Sequence, residues 1–186
     1  MKIGMNVLLW TAAANEEHLE LLEEIKTWGY DGVELPMFAP DCSPWPALAA
    51  KLDELELGRT VVTIVPPDAN PIAEGSATRA AGVAHLKACI DSCVAVGSDL
   101  LIGPLYAPCG ELVGRGATDE EWAWGVAGLR EAAQYAGDAG VTLAIEPLNR
   151  FESYFITSGA EAADFVDEVD HPNLRMMLDT FHANIE

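Results

Sequence analysis

Short apolar, β-rich runs alternate along the chain with longer segments whose apolar residues recur at helical spacing, and this alternation predicts βα units around a parallel sheet. The first run, Lys2 to Leu9, reads as a strand. Asn15 then stands where a helix cap belongs, with Leu19, Leu22 and Ile25 forming an apolar face, Glu16, Glu17, Glu20, Glu23 and Glu24 facing water, and Gly29 as the stop. Asp31 to Leu35 predicts a second strand, Pro46 to Leu57 a helix stopped by Gly58, and Arg59 to Val65 a third strand. Pro66-Pro67-Asp68-Ala69-Asn70-Pro71 must be loop, because neither helix nor interior strand tolerates that proline density. A helix over Thr78 to Val96 closed by Gly97, a fourth strand over Asp99 to Ile102 and a long connection from Gly103 to Thr118 follow. Asp119 to Ala139 predicts a helix ended by Gly140, Val141 to Ile145 a fifth strand, Ser158 to Val169 a helix, and Leu174 to Leu178 a sixth strand.

These units recur at a pace of roughly thirty to forty residues, which suits a (β/α)8 TIM barrel. A doubly wound sheet is the rival, but no Gly-x-Gly-x-x-Gly follows the first strand, and Trp10-Thr11-Ala12-Ala13-Ala14 offers no glycine for a dinucleotide to approach. A whole barrel typically needs about 250 residues. The 186 residues therefore predict one α/β domain, a partial (β/α)8 TIM barrel with about six of the eight strands.

Half of the residues are apolar, enough to bury a sizeable core. No apolar run reaches the roughly 18 residues that span a bilayer, and the start lacks a signal peptide's apolar region and cleavage site, so a cytoplasmic protein is expected. The formal net charge of −20 would repel phosphate backbones and anionic lipid, so neither nucleic acid nor membrane is an expected partner. The four cysteines, Cys42, Cys89, Cys93 and Cys109, contain no C-x-x-C pair. Cys89 and Cys93, one helical turn apart, read as buried thiols on a packing face. His18, His85 and His171 read as surface or packing residues.

Two apolar strands end in a carboxylate, Glu146 after Val141 to Ile145 and Asp179 after Leu174 to Leu178. The C-terminal strand ends form the active face of a βα barrel, so these two acids should meet there. Carboxylates that close repel unless a positive charge lies between them, and hard oxygen donors favour Mg²⁺ or Mn²⁺ over a thiol-loving metal. The plainer alternative is that each acid caps a following helix or pairs with a lysine. The seven residues Glu146-Pro147-Leu148-Asn149-Arg150-Phe151-Glu152 hold two acids, an amide and a guanidinium, and Asp179-Thr180-Phe181-His182-Ala183-Asn184-Ile185-Glu186 is similarly polar. Such density suits a hydroxyl-rich ligand oriented by many hydrogen bonds.

These two stretches resemble the E-x-x-N-R-F-E and L-D-T-F-H-x-N-I-E-E motifs of the ketose 3-epimerases (D-tagatose, D-psicose and L-ribulose 3-epimerases) within the xylose-isomerase-like barrels. Weaker likenesses lie in Gly4 to Trp10, Pro66 to Pro71, Arg79 to Gly82 and Gly103 to Tyr106. The resemblance implies a divalent-metal enzyme, with Mn²⁺ first and Mg²⁺ or Co²⁺ as alternatives. It implies Glu146 as metal ligand and acid/base, Asp179 as metal ligand, and Glu152 and His182 as partners of the sugar hydroxyls. It puts Asn6 against the substrate, where some relatives carry an aromatic residue. Trp10 and Tyr106 are candidate pocket walls, with core packing the alternative. The expected partner is a small-molecule ketose, unphosphorylated because no basic cluster is evident, and the full-length protein is expected to be a homo-oligomer.

The resemblance also places a histidine ligand and a second catalytic glutamate on strands seven and eight, which this chain is not expected to contain, so the 186 residues alone are expected to be inactive. A hydroxypyruvate or other sugar isomerase of the same superfamily, or a non-catalytic remnant, stays open as an alternative. An open barrel leaves two strand edges and its interior uncovered. The isolated chain is therefore predicted to aggregate or to require a partner, and a monodisperse, cooperatively melting monomer in analytical ultracentrifugation and calorimetry would contradict this.

Overall fold

The computed structural model describes residues 1–40 and 44–186. Among them six strands run parallel in one sheet: β1 (Gly4–Asn6), β2 (Gly32–Pro36), β3 (Gly58–Val62), β4 (Leu100–Gly103), β5 (Thr142–Ile145) and β6 (Leu174–Met176). Their order in the sheet is their order in the chain. A doubly wound sheet reverses direction at a switch point, and this one does not, so the winding is that of a partial (β/α)8 barrel. Between the strands run α1 (Leu19–Thr27), α2 (Trp45–Glu54), α3 (Ser76–Val96), α4 (Asp119–Asp138) and α5 (Gly159–Val169), and α6 (Thr180–Ile185) follows β6. No helix among the described residues is long and apolar enough to cross a membrane.

The core lies between the sheet and its helices. Leu22 and Ile25 of α1, Leu48 and Leu52 of α2, Leu86 and Ile90 of α3, Leu129 of α4 and Phe165 of α5 are buried with Leu35, Val61, Leu101, Leu143 and Ile145 from the strands. Each such side chain contributes about 1.5–3 kcal/mol on leaving water. Cys89 and Cys93 are unpaired and fully buried on α3, and burial pushes the Cys89 thiol up to about 12, so these two act as packing groups. Cys109 is free and exposed, while Cys42 lies outside the described residues.

Helix starts follow the local chemistry. Thr118 and Glu121 form a reciprocal capping box at α4, and Ser158 and Glu161 form one at α5. Asn15 also caps, but what it caps is a 3-10 turn over Glu16–His18 that leads into α1. Strand ends differ more from expectation. β1 stops at Asn6 because the Asn6 carboxamide oxygen accepts the Leu8 N–H at 2.8 Å and starts a 3-10 turn over Val7–Leu9. β6 stops at Met176, and Asp179 starts α6, a helix absent from the sequence reading. An apolar run has the same appearance whether it continues a strand or enters a buried turn.

The long connection from 104 to 118 contains no helix or strand and is anchored at both ends. At its far end Arg115 forks onto both Glu121 oxygens at 2.8 and 2.9 Å, Glu121 also accepts the Tyr154 hydroxyl at 3.0 Å, and these contacts hold its carboxyl down to about 2. At its near end Gly103 has φ +131°, and a Cβ there would overlap the carbonyl oxygen of Thr63, the residue after β3. The Gly103 carbonyl in turn accepts the Glu146 N–H at 2.9 Å. Glycine is needed both for the backbone angle and for the close approach. Gly103→Ala should destabilise by about 3 kcal/mol and lower Tm by roughly 6–12 °C, read by urea and thermal unfolding.

Candidate functional site

Glu146 is the first residue beyond β5, and Asp179 is three beyond β6 at the N-cap of α6. Ile145 and Met176 are register partners, and the Met177 N–H donates to the Ile145 carbonyl at 2.9 Å, so the two strand ends stay side by side. Asp179 divides its carboxylate. One oxygen, Oδ1, accepts the Phe181 N–H at 2.7 Å and caps α6, whereas Oδ2 lies 4.0 Å from His182 Nε2. Glu146 Oε1 is 3.7 Å from the same Nε2. One donor atom from each of Glu146, Asp179 and His182 falls within 4.8 Å of the others, a spacing that fits ligands converging on a cation.

Charge crowds this spot. Burial, then Asp179, then Glu34 and Glu152, push the Glu146 carboxyl up to about 7. Glu34 belongs to β2, where the register sets it level with Asn6 and Thr60. Its carboxylate accepts the Asn6 amide at 2.8 Å and the Thr60 hydroxyl at 3.3 Å, and burial raises its carboxyl, with the Thr60 bond opposing and Asp179 adding. A cavity of 530 Å³ opens at the N-terminal ends of β1 to β3 and reaches Asn6, Glu34 and Thr60 without being lined by Glu146, Asp179 or His182, whereas a smaller one of 180 Å³ adjoins Asp179, His182 and Glu186. Glu146 and Asp179, whose donor atoms converge with His182 and which have no lysine or arginine bonded to them among the described residues, form a pair suited to a divalent cation, with Glu34 adding its charge nearby.

The two polar stretches grip each other. Arg150 donates from its backbone N–H, Nε and Nη2 to Glu186 at 2.7, 3.0 and 2.7 Å, so its guanidinium is engaged in joining the β5–α5 loop to α6 and is not free for a ligand. Asn149 donates from its backbone at 3.2 Å to His182 Nδ1, and its amide nitrogen lies 2.8 Å from that atom and 2.7 Å from Glu152 Oε1. Glu152 and His182 are thereby brought together beside Glu146.

The two candidate pocket walls, Tyr106 and Trp10, each pack on another aromatic ring. Tyr106 is fully buried, its hydroxyl shared between the Glu146 and Ile156 carbonyls at 2.9 and 3.1 Å while accepting the Leu148 N–H at 3.3 Å. It is a strut inside the β5–α5 loop, stacked on Phe155 at 5.7 Å. Trp10 is half exposed and stacks on Trp28 at 6.0 Å, so its ring contact is with the end of α1, not with the acids. Asn6 uses its amide on Glu34 and its oxygen on Leu8, which makes it a support for Glu34. Glu34 itself escaped the sequence reading, although an acid inside the apolar run Gly32-Val33-Glu34-Leu35-Pro36 is the signal that could have found it.

The family model for xylose isomerase-like TIM barrels matches residues 22–186. The chain belongs to that family. It is similar to L-ribulose 3-epimerase of Mesorhizobium japonicum, 31% identical over all of this chain and 62% of the relative, and to a probable ketose 3-epimerase of Synechocystis, 28% identical over all of this chain and 65% of the relative. A solved L-ribulose 3-epimerase structure superposes with a TM-score of 0.93 at 31% identity, covering 100% of this chain and 63% of that one. The chain thus spans 62–65% of the length of these curated relatives.

In this xylose isomerase-like barrel the crowding of Glu146 carries a stability cost with a definite sign. Its folded pKa of about 7 lies above the ordinary 4.5, so the folded state holds the proton longer than the unfolded chain does. Stability from this group is full below pH 4.5 and falls as pH rises through about 7. Urea titrations in chelator should give a lower unfolding free energy at pH 8 than at pH 5, and Glu146→Gln should flatten that difference.

Proposed function

We propose that the protein is a divalent-metal-dependent ketose 3-epimerase acting on an unphosphorylated ketose. The observation that carries this reading is the meeting of Glu146 and Asp179 at adjacent strand ends with Glu152 and His182 clasped beside them. The names of the relatives support the substrate class.

A proton α to a ketone is too weakly acidic to leave unaided. A divalent cation held by Glu146 and Asp179, with Mn²⁺ preferred over Mg²⁺ or Co²⁺, supplies polarisation of the carbonyl and neighbouring hydroxyl oxygens. In this reading Glu146, at the end of β5 beside Asp179, is also the group that exchanges the proton at C3. Glu152 and His182 hydrogen-bond the sugar hydroxyls and so fix which face of C3 meets Glu146. Inversion requires a second acid on the opposite face, and the family resemblance assigns that glutamate to a strand after β6.

A panel of ketohexoses and ketopentoses, assayed on the full-length protein with Mn²⁺ and again after chelation, should give metal-dependent interconversion of C3 epimers. Glu146→Gln should lower kcat by roughly 10²–10⁴-fold, and His182→Ala should act mainly on KM. If no ketose is inverted at C3 in the presence of any of these metals, the reading is wrong.

A further inference from the structure

Asn149 lies between the groups assigned to the sugar and touches both, yet no role attaches to it so far. It is 1% exposed, at the third position after Glu146. Its side-chain orientation follows from chemistry. The Phe151 backbone N–H points at one amide atom at 2.9 Å, so that atom is the oxygen. A Glu152 carboxylate oxygen, which can only accept, lies 2.7 Å from the other, so that atom is the nitrogen.

The amide nitrogen has a second hydrogen, and His182 Nδ1 is 2.8 Å away. The Asn149 backbone N–H also donates to this Nδ1 at 3.2 Å. Two donors aimed at one ring nitrogen require that it carry a lone pair, and a neutral imidazole then bears its proton on the other nitrogen. Nε2 is the nitrogen that faces Glu146 and Asp179, at 3.7 and 4.0 Å.

We infer that Asn149 is a positioning residue that holds His182 in its Nε2–H form and turns Glu152 toward the same spot. Three consequences follow from the tautomer. His182 presents a hydrogen-bond donor to the site and has no lone pair there for a cation, although its distances alone would suit a third ligand. Of the described residues converging here, only the two carboxylates are left for the cation. Glu152, with one oxygen committed to the Asn149 amide, accepts from a ligand hydroxyl while His182 donates to a ligand oxygen. This complementary pair can distinguish the two ends of a hydroxyl–oxygen arrangement. The use of the pair on a ketose rests on the proposed function, whereas the tautomer does not.

Nitrogen-15 spectra of the histidine rings test this directly on the full-length protein, at about pH 8 where an ordinary histidine is neutral. His182→Gln identifies the signals that belong to His182. The expected result is a pyridine-like shift for Nδ1 and a pyrrole-like shift for Nε2, unchanged when Mg²⁺ is added to saturation. A proton on Nδ1, or loss of the Nε2 proton when Mg²⁺ binds, would overturn the inference.

Asn149→Asp replaces the amide donor by an acceptor and should move a proton onto Nδ1, with loss of its pyridine-like signal. Asn149→Ala removes only the side-chain donor, leaves the backbone N–H, and should give a mixture of tautomers. Should the aspartate variant not fold, the alanine variant and the unmodified chain still decide. A folded variant of either kind whose His182 signals match the parent would refute the role of Asn149. Failure of the ketose assay with these shifts as expected would count against the function alone.

Discussion

Carboxylates set down at neighbouring strand ends repel one another, and the geometry around Glu146 is organised by that repulsion. Burial and the charges of Asp179, Glu34 and Glu152 together raise the Glu146 carboxyl to about 7. A buried anion among anions is stable only if it takes a proton or gains a cation. The raised Glu146 carboxyl is the first of these solutions, and the cation proposed above would be the second. Asp179 shows how the demand is shared, with one oxygen capping α6 and the other held toward Glu146 and His182. The helix-capping and metal-ligand readings of an acid at a strand end are therefore compatible.

Holding repelling groups in place requires a scaffold that is stiff where they sit. Tyr106 braces the loop after β5 through the Glu146 and Ile156 carbonyls, with Phe155 stacked on it. Arg150 ties the same loop to α6 through Glu186, and Asn149 ties it through His182. Glu121 joins α4, the long connection and Tyr154. Polar groups that looked in the sequence like a ligand-binding surface are largely consumed in this bracing, leaving Glu146, Asp179, Glu152 and His182 as the set that converges. The proposed role of this set would depend on such bracing, because small displacements of reacting groups cost large factors in rate.

How much was legible in the chain depended on the range of the interaction involved. Helix starts at Thr118 and Ser158 were readable because a capping box is completed within four residues. The stops at Gly97 and Gly140 were readable because a positive φ is a local demand. The ends of β1 and β6 were not, since an apolar residue is equally comfortable in a strand or in a buried turn. The surroundings of Tyr106 and Trp10 were not legible for a related reason. An aromatic side chain is amphipathic, and whether its face meets solvent, a core or a ligand depends on partners distant in the chain, here Phe155 and Trp28.

By itself the sequence determined the alternation of strand and helix, the six-strand partial barrel and the two acids at the ends of β5 and β6, because periodicity, caps and strand-end placement are local properties. Tertiary structure alone decided which polar groups face one another. Glu34 joined the acidic cluster because β2 aligns it with Asn6 and Thr60. Arg150 was withdrawn from it by Glu186, 36 residues away in the chain. His182 acquired its orientation from Asn149, 33 residues earlier. Hydrogen-bond direction and electrostatic repulsion act across space, so the same residues that a motif names acquire their protonation state and partners only when the strands and helices are packed.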